Sequence, residues 1–121
     1  MDNETIPLET SSNSAQEPLY ILSLLNNEFM SSSWKLIVKE YNIGRSSDNS
    51  IILDDITVSR KHALLSVTNQ NVKITDNKST NGVYINNEIK SECELKSGDK
   101  IQIGKYLLLL TEVVKWILEK L

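Results

Sequence analysis

From Pro18 onward, short apolar segments alternate with polar clusters at the spacing of an all-β sandwich or barrel. Ala63, Leu65 and Val67 alternate with more polar neighbours, as do Val72/Ile74, Val83/Ile85 and Ile101/Ile103. Strand side chains repeat every two residues, so each set predicts a strand with one apolar face. The segment Leu19 to Leu25 predicts another strand, closed by the turn signal Asn26-Asn27, and Trp34 to Gly44 ends in a Tyr41/Ile43 alternation. The short run Ser50 to Leu53 reads as a strand buried on both faces.

The connectors agree with this pattern. Asn86-Asn87 suits a tight hairpin, because asparagine tolerates positive φ. Gly104-Lys105, between "KIQI" and "YLLLL", fits a two-residue hairpin with glycine first, and Ser97-Gly98-Asp99 is a further turn. At the end of the chain the period changes. In "TEVVKWILEKL", Val114, Ile117, Leu118 and Leu121 form one stripe of an amphipathic helix. Thr111 would be its N-cap and Glu112 would lie in its first turn. The division expected is a flexible tail over 1–17, a β-sandwich over 18–111 and a helix over 112–121. The helix would pack on the sandwich or serve self-association.

At 121 residues and net charge −3, the chain has room for one domain with one modest core. The acidic balance speaks against a general binder of nucleic acid or anionic membrane, so neither is an expected direct partner. Cys93 is the only cysteine; it cannot form an internal disulfide and lacks the companions of a zinc site, which fits an intracellular protein. No apolar run approaches a membrane span.

Against that acidic background, three polar clusters stand at predicted strand ends. They are Gly44-Arg45-Ser46, Ser59-Arg60-Lys61-His62 and Ser79-Thr80-Asn81-Gly82. Ser59 and His62 suggest a nucleophile and base, but no orienting group or oxyanion hole is identifiable, and Asp54-Asp55 would point to opposite faces of an extended chain. No phosphate-loop glycine spacing is present. The chain is therefore expected not to be an enzyme and to need no metal or cofactor. A phosphate monoester is another matter. It is nearly dianionic at neutral pH, and its receptor needs a guanidinium, hydroxyl donors and an amide to hold the attached peptide. Arg45, Ser59, Arg60, Lys61, Thr80 and Asn81 supply those groups. A bland alternative exists for each, since arginines at strand ends are commonly solvated and Ser-Thr-Asn-Gly commonly makes a turn.

Taken together, "YNIGRSSDNSIIL", "VSRKHALL", "KSTNGVYIN" and "LKSGDKIQIG" resemble the forkhead-associated (FHA) domain family in order and spacing, over Leu19 to Leu110. The resemblance implies a twisted β-sandwich of about eleven strands and recognition of phosphothreonine in a partner protein. It implies that Arg45 and Ser59 bind phosphate with Arg60 assisting, that Thr80 supports the phosphate, and that Asn81 holds the peptide backbone. Lys61 would face either phosphate or solvent. Gly44 and Gly82 would permit the loop backbone, and His62 would tie the loops together. Some family members carry arginine two residues before the serine to select an acidic residue at the third position after phosphothreonine; Thr57 stands there in this chain. The family also suggests signalling in DNA-damage response or cell-cycle control, with a nuclear location in a eukaryote and a cytoplasmic one otherwise. The alternatives are a phospho-independent interaction scaffold and the regulatory segment of a larger enzyme such as a Ser/Thr kinase.

Overall fold

The computed structural model describes residues 17–26 and 29–113. Among them are eleven strands in two sheets. In chain order they are β1 (Tyr20–Asn26), β2 (Phe29–Leu36), β3 (Lys39–Gly44), β4 (Ile51–Ile52), β5 (Ala63–Val67) and β6 (Val72–Asp76). There follow β7 (Val83–Ile85), β8 (Glu88–Ile89), β9 (Glu92–Leu95), β10 (Lys100–Ile103) and β11 (Tyr106–Glu112). One sheet runs β9-β6-β5-β3-β4 and the other β2-β1-β11-β10-β7-β8. All neighbours are antiparallel except β3 and β4, which pair in parallel.

The alternating residues form the core between the sheets. Ile43, Ala63, Leu65, Val67, Val72, Ile74, Val83, Ile85, Ile101 and Ile103 are all buried. Leu22, Leu108 and Leu110 complete it from β1 and β11. Removing apolar side chains from water is the main stabilising term of such a sandwich. The two predicted hairpins form. Asn86 and Asn87 both have positive φ, and Gly104 takes φ 59° where Ile103 and Tyr106 close the β10–β11 turn.

Trp34–Gly44 spans two strands, broken at Ile37-Val38, where the Tyr41 hydroxyl caps the Ile37 amide at 2.9 Å. Two expectations fail. The run around Ile51 is not buried on both faces, because Ile51 is fully buried while Ile52 is 45% exposed. Thr111 and Glu112 are not a helix cap and first turn. They pair with Ile21 and Tyr20, so β11 continues through both, and the described residues contain no helix. Thr111 and Glu112 fit a strand because the β1 backbone lies alongside and takes up their hydrogen bonds, which a local periodic pattern does not register. The rest of the expected helix, from 114, and the expected tail up to 16 lie outside the described residues.

Candidate functional site

Strand register brings the three polar clusters to one end of the sandwich. Gly44 ends β3, and Ile43 pairs with Ala63, the first residue of β5. Ala63 in turn pairs with Asp76, the last residue of β6. The segments 45–50, 53–62 and 77–82 must therefore leave the same edge. The third crosses to Val83 in the other sheet, and Val83 pairs with Ile103 next to the Gly104-Lys105 turn. Strand pairing, with the one crossing between sheets, puts four connections side by side.

Arg45, Ile56, Thr57, Val58, Ser59, Arg60, Thr80 and Asn81 line a recess of about 330 Å³ there. Arg45 is anchored on both sides. Its amide donates to Ser59 O at 3.0 Å, and its Nε donates to Val58 O at 3.0 Å. The Nε bond orients the planar guanidinium, while its terminal nitrogens have no hydrogen-bond partner in the described protein. Ser59 Oγ accepts from the Thr80 amide at 3.1 Å, leaving its hydroxyl proton available to a ligand. Asn81 Nδ2 donates to Thr57 O at 2.8 Å, and its Oδ1 is left over. Arg60 is exposed and makes no ion pair with a described residue.

Two glycines and the histidine hold these groups. His62 is completely buried. Its Nδ1 accepts from the Ser59 amide at 3.0 Å, so in the neutral ring Nε2 carries the proton and donates to Gly82 O at 2.8 Å. One imidazole thus ties the second cluster to the third. Gly82 has φ +85°, a region an L side chain rarely adopts. Gly44 is needed for space, since a Cβ there would lie 2.1 Å from Arg60 O.

Lys61 is separate from this group. It does not line the recess, and its ammonium pairs with Asp48 at 3.0 Å. The Ser46 hydroxyl first, and then Lys61, hold the Asp48 carboxyl below its usual pKa.

Several site residues carry no motif signal. The Asn49 side chain bridges Ser46 O and Arg60 O, both at 2.8 Å, and so pins the first cluster to the second. Asn77 donates to Lys61 O at 3.2 Å; within the third cluster already marked in the sequence, the Ser79 hydroxyl accepts from the Gly82 amide at 2.9 Å. Asp55 accepts from the Thr57 hydroxyl at 2.5 Å and amide at 2.9 Å and pairs with Lys105 at 3.2 Å. Those two Thr57 bonds, ahead of Lys105, lower its pKa to about 2. Thr57 Oγ1 also accepts from the Lys105 amide at 2.9 Å, which fastens the β10–β11 hairpin to the site. Asparagines and aspartates in loops signal turns; only the tertiary contacts single these out.

Comparisons with known proteins meet this geometry. The family model for the FHA domain matches residues 41–104, just over half of the chain. An oxoglutarate dehydrogenase inhibitor of Corynebacterium jeikeium is 46% identical over 65 residues, which cover 54% of this chain and 45% of that protein. The glycogen accumulation regulator GarA of Mycobacterium tuberculosis is 45% identical over 65 residues, covering 54% and 40%. The aligned segment thus spans less than half the length of these curated relatives. Among solved structures, the FhaA FHA domain complexed with the intracellular domain of Rv3910 superposes with a TM-score of 0.70 at 30% identity, covering 75% of this chain and 98% of that one. Mycobacterium tuberculosis EmbR in complex with a low-affinity phosphopeptide gives 0.73 at 32% identity, covering 84% and 26%. The two curated relatives are bacterial and are named for inhibition and regulation; they lend no support to a nuclear, DNA-damage or cell-cycle setting.

Proposed function

We propose that this chain, which belongs to the FHA domain family, is a phosphothreonine-binding module that recruits or regulates a phosphorylated partner protein. The observation that carries the reading is the oriented, unsatisfied guanidinium of Arg45 beside the free hydroxyl proton of Ser59 in one recess. A phosphate group fits that arrangement because it presents three acceptor oxygens and nearly two negative charges. The Arg45 terminal nitrogens and the Ser59 hydroxyl would each donate to it, Arg60 would add charge from the open side, and the Thr80 hydroxyl would close the third. Asn81 would hold the peptide backbone through the amide atoms that Thr57 leaves unused. No bond is made or broken, so the module acts by association.

Charge-assisted hydrogen bonds contribute about 1.5–3 kcal/mol each. After ordering costs, several of them support a Kd near a micromolar, about −8 kcal/mol. The names of the curated relatives support a bacterial enzyme or its regulator as the partner, in place of the nuclear setting suggested by the family resemblance. A small apolar niche in the recess, with Val58 in its lining, would receive the threonine methyl group. A single methyl group in such a contact discriminates about 10- to 200-fold.

Calorimetric titration with matched peptides tests the proposal. The phosphothreonine peptide should bind near micromolar, its phosphoserine counterpart at least about tenfold more weakly, and the unmodified peptide not measurably. Equal binding of the phosphorylated and unmodified peptides would favour the phospho-independent scaffold instead.

A further inference from the structure

Ile56 is 90% exposed at the edge of the recess. A lone exposed isoleucine needs no explanation in general, but this one occupies an unusual place. The Val58 amide donates to Asp55 O at 3.0 Å, so Ile56 and Thr57 are the two central residues of a hydrogen-bonded turn. Such positions favour proline, glycine, asparagine, aspartate or serine for local reasons, and none of those reasons applies to isoleucine. The turn is also held firmly. The Asp55 carboxylate takes both Thr57 donors, the Lys105 amide takes Thr57 Oγ1, and Asn81 takes Thr57 O. A rigid frame therefore presents an apolar side chain to solvent beside a cluster of phosphate donors.

The charges nearby restrict what could lie against it. Lys105 is paired with Asp55, Lys61 with Asp48, and Arg45 and Arg60 are engaged by the phosphate in the proposed complex, so none of the four is a free cation for an acidic ligand residue. Asp54, two residues before Ile56 on the same loop, is exposed and adds negative charge there. Thr57 offers no charge, and its hydroxyl is already engaged. We infer that Ile56 is a specificity-determining residue, which selects phosphothreonine peptides carrying an aliphatic side chain close to the phosphorylated residue and disfavours acidic ones there. The inference rests on the phosphothreonine reading and deepens it. Ile56 continues the lining formed by Arg45, Ser59 and Asn81, so a peptide seated on the phosphate donors passes over it.

The test uses short phosphothreonine peptides with alanine at every other position, and variants with one flanking alanine replaced by leucine, aspartate or lysine. They are titrated into the wild-type protein and the Ile56→Ala variant. In the wild type, leucine at one flanking position should tighten binding about 5- to 10-fold, as expected when a side chain of this size is partly covered. In Ile56→Ala that gain should fall below about twofold, with affinity for the all-alanine parent also within about twofold of wild type. An undiminished leucine gain in the variant would overturn the inference, as would a larger gain from aspartate or lysine than from leucine. A parent peptide that shows no phosphate-dependent binding would overturn the phosphothreonine reading itself, and this inference with it.

Discussion

Replacing Arg45 with alanine should weaken binding of a phosphothreonine peptide by roughly 10- to 150-fold, equivalent to about 1.5–3 kcal/mol. The size follows from what Arg45 does that no neighbour can replace. Its Nε is fixed on Val58 O, so its terminal nitrogens face the ligand as a preset fork. Arg60, exposed and unanchored, pays more side-chain entropy for each bond it makes. Arg45→Lys should recover little of the loss. A lysine has one nitrogen, which cannot donate to Val58 O and also present two parallel donors to phosphate. The fold should survive either change, because the backbone bond from the residue-45 amide to Ser59 O remains. Loss of the Nε bond alone costs about 1 kcal/mol of stability. Titration calorimetry reads the affinity, and a thermal melt in parallel shows that the variant is folded.

The second large effect concerns folding. Gly44→Ala should destabilise the protein by about 3 kcal/mol, at the upper end of ordinary overpacking. The added Cβ would stand 2.1 Å from Arg60 O and 2.8 Å from both Arg60 C and Asn49 Nδ2. Two of those three atoms are backbone, and Arg60 O is itself held by Asn49 at 2.8 Å, so the site cannot yield by turning a side chain. Relief requires the 59–62 segment to withdraw from the end of β3. That movement would break the Arg45 amide bond to Ser59 O and shift Ser59 away from Thr80. Stability and phosphopeptide affinity should therefore fall together in this variant. For a domain of this size the expected drop in Tm is roughly 10–20 °C. A wild-type melting curve for Gly44→Ala would show that the close approach does not exist in solution.

The two variants also mark where sequence reasoning succeeds and stops. The core strands are legible because a sheet with one buried face leaves a period-two trace, and Leu65, Ile74, Ile85 and Ile101 all lie on that trace. The hairpins are legible because Asn86, Asn87 and Gly104 are residues that accept positive φ. The donor inventory is legible too, since a dianion calls for specific side-chain chemistry. Convergence is not. Arg45, Ser59 and Thr80 meet only because β3, β5 and β6 are paired in one register, and a pairing between distant segments leaves no local mark.

The same limit explains the misreadings. Thr111 and Glu112 fit the first turn of a helix when the chain is read alone, whereas β1 fixes them in a strand. Ile52 continues an apolar run but lies on the outer face of a two-residue strand. Asn49 looks like an ordinary loop asparagine until it is seen joining Ser46 O to Arg60 O. Gly104 reads in the sequence as a turn residue alone. It also gives the hairpin close access to Thr57, since a Cβ there would lie 2.5 Å from Thr57 Oγ1. In each case the missing information is a contact with a segment remote in sequence.

The central claim is that one edge of the sandwich, and no other surface, receives the phosphate. Backbone amide NMR during titration with a phosphothreonine peptide tests it most directly. The largest shifts should fall on Arg45, Ser59, Arg60, Thr80 and Asn81, and they should vanish when the peptide is dephosphorylated. Phosphate-dependent shifts centred instead on the opposite end of the sandwich, around the Asn86-Asn87 hairpin and Gly98, would contradict it.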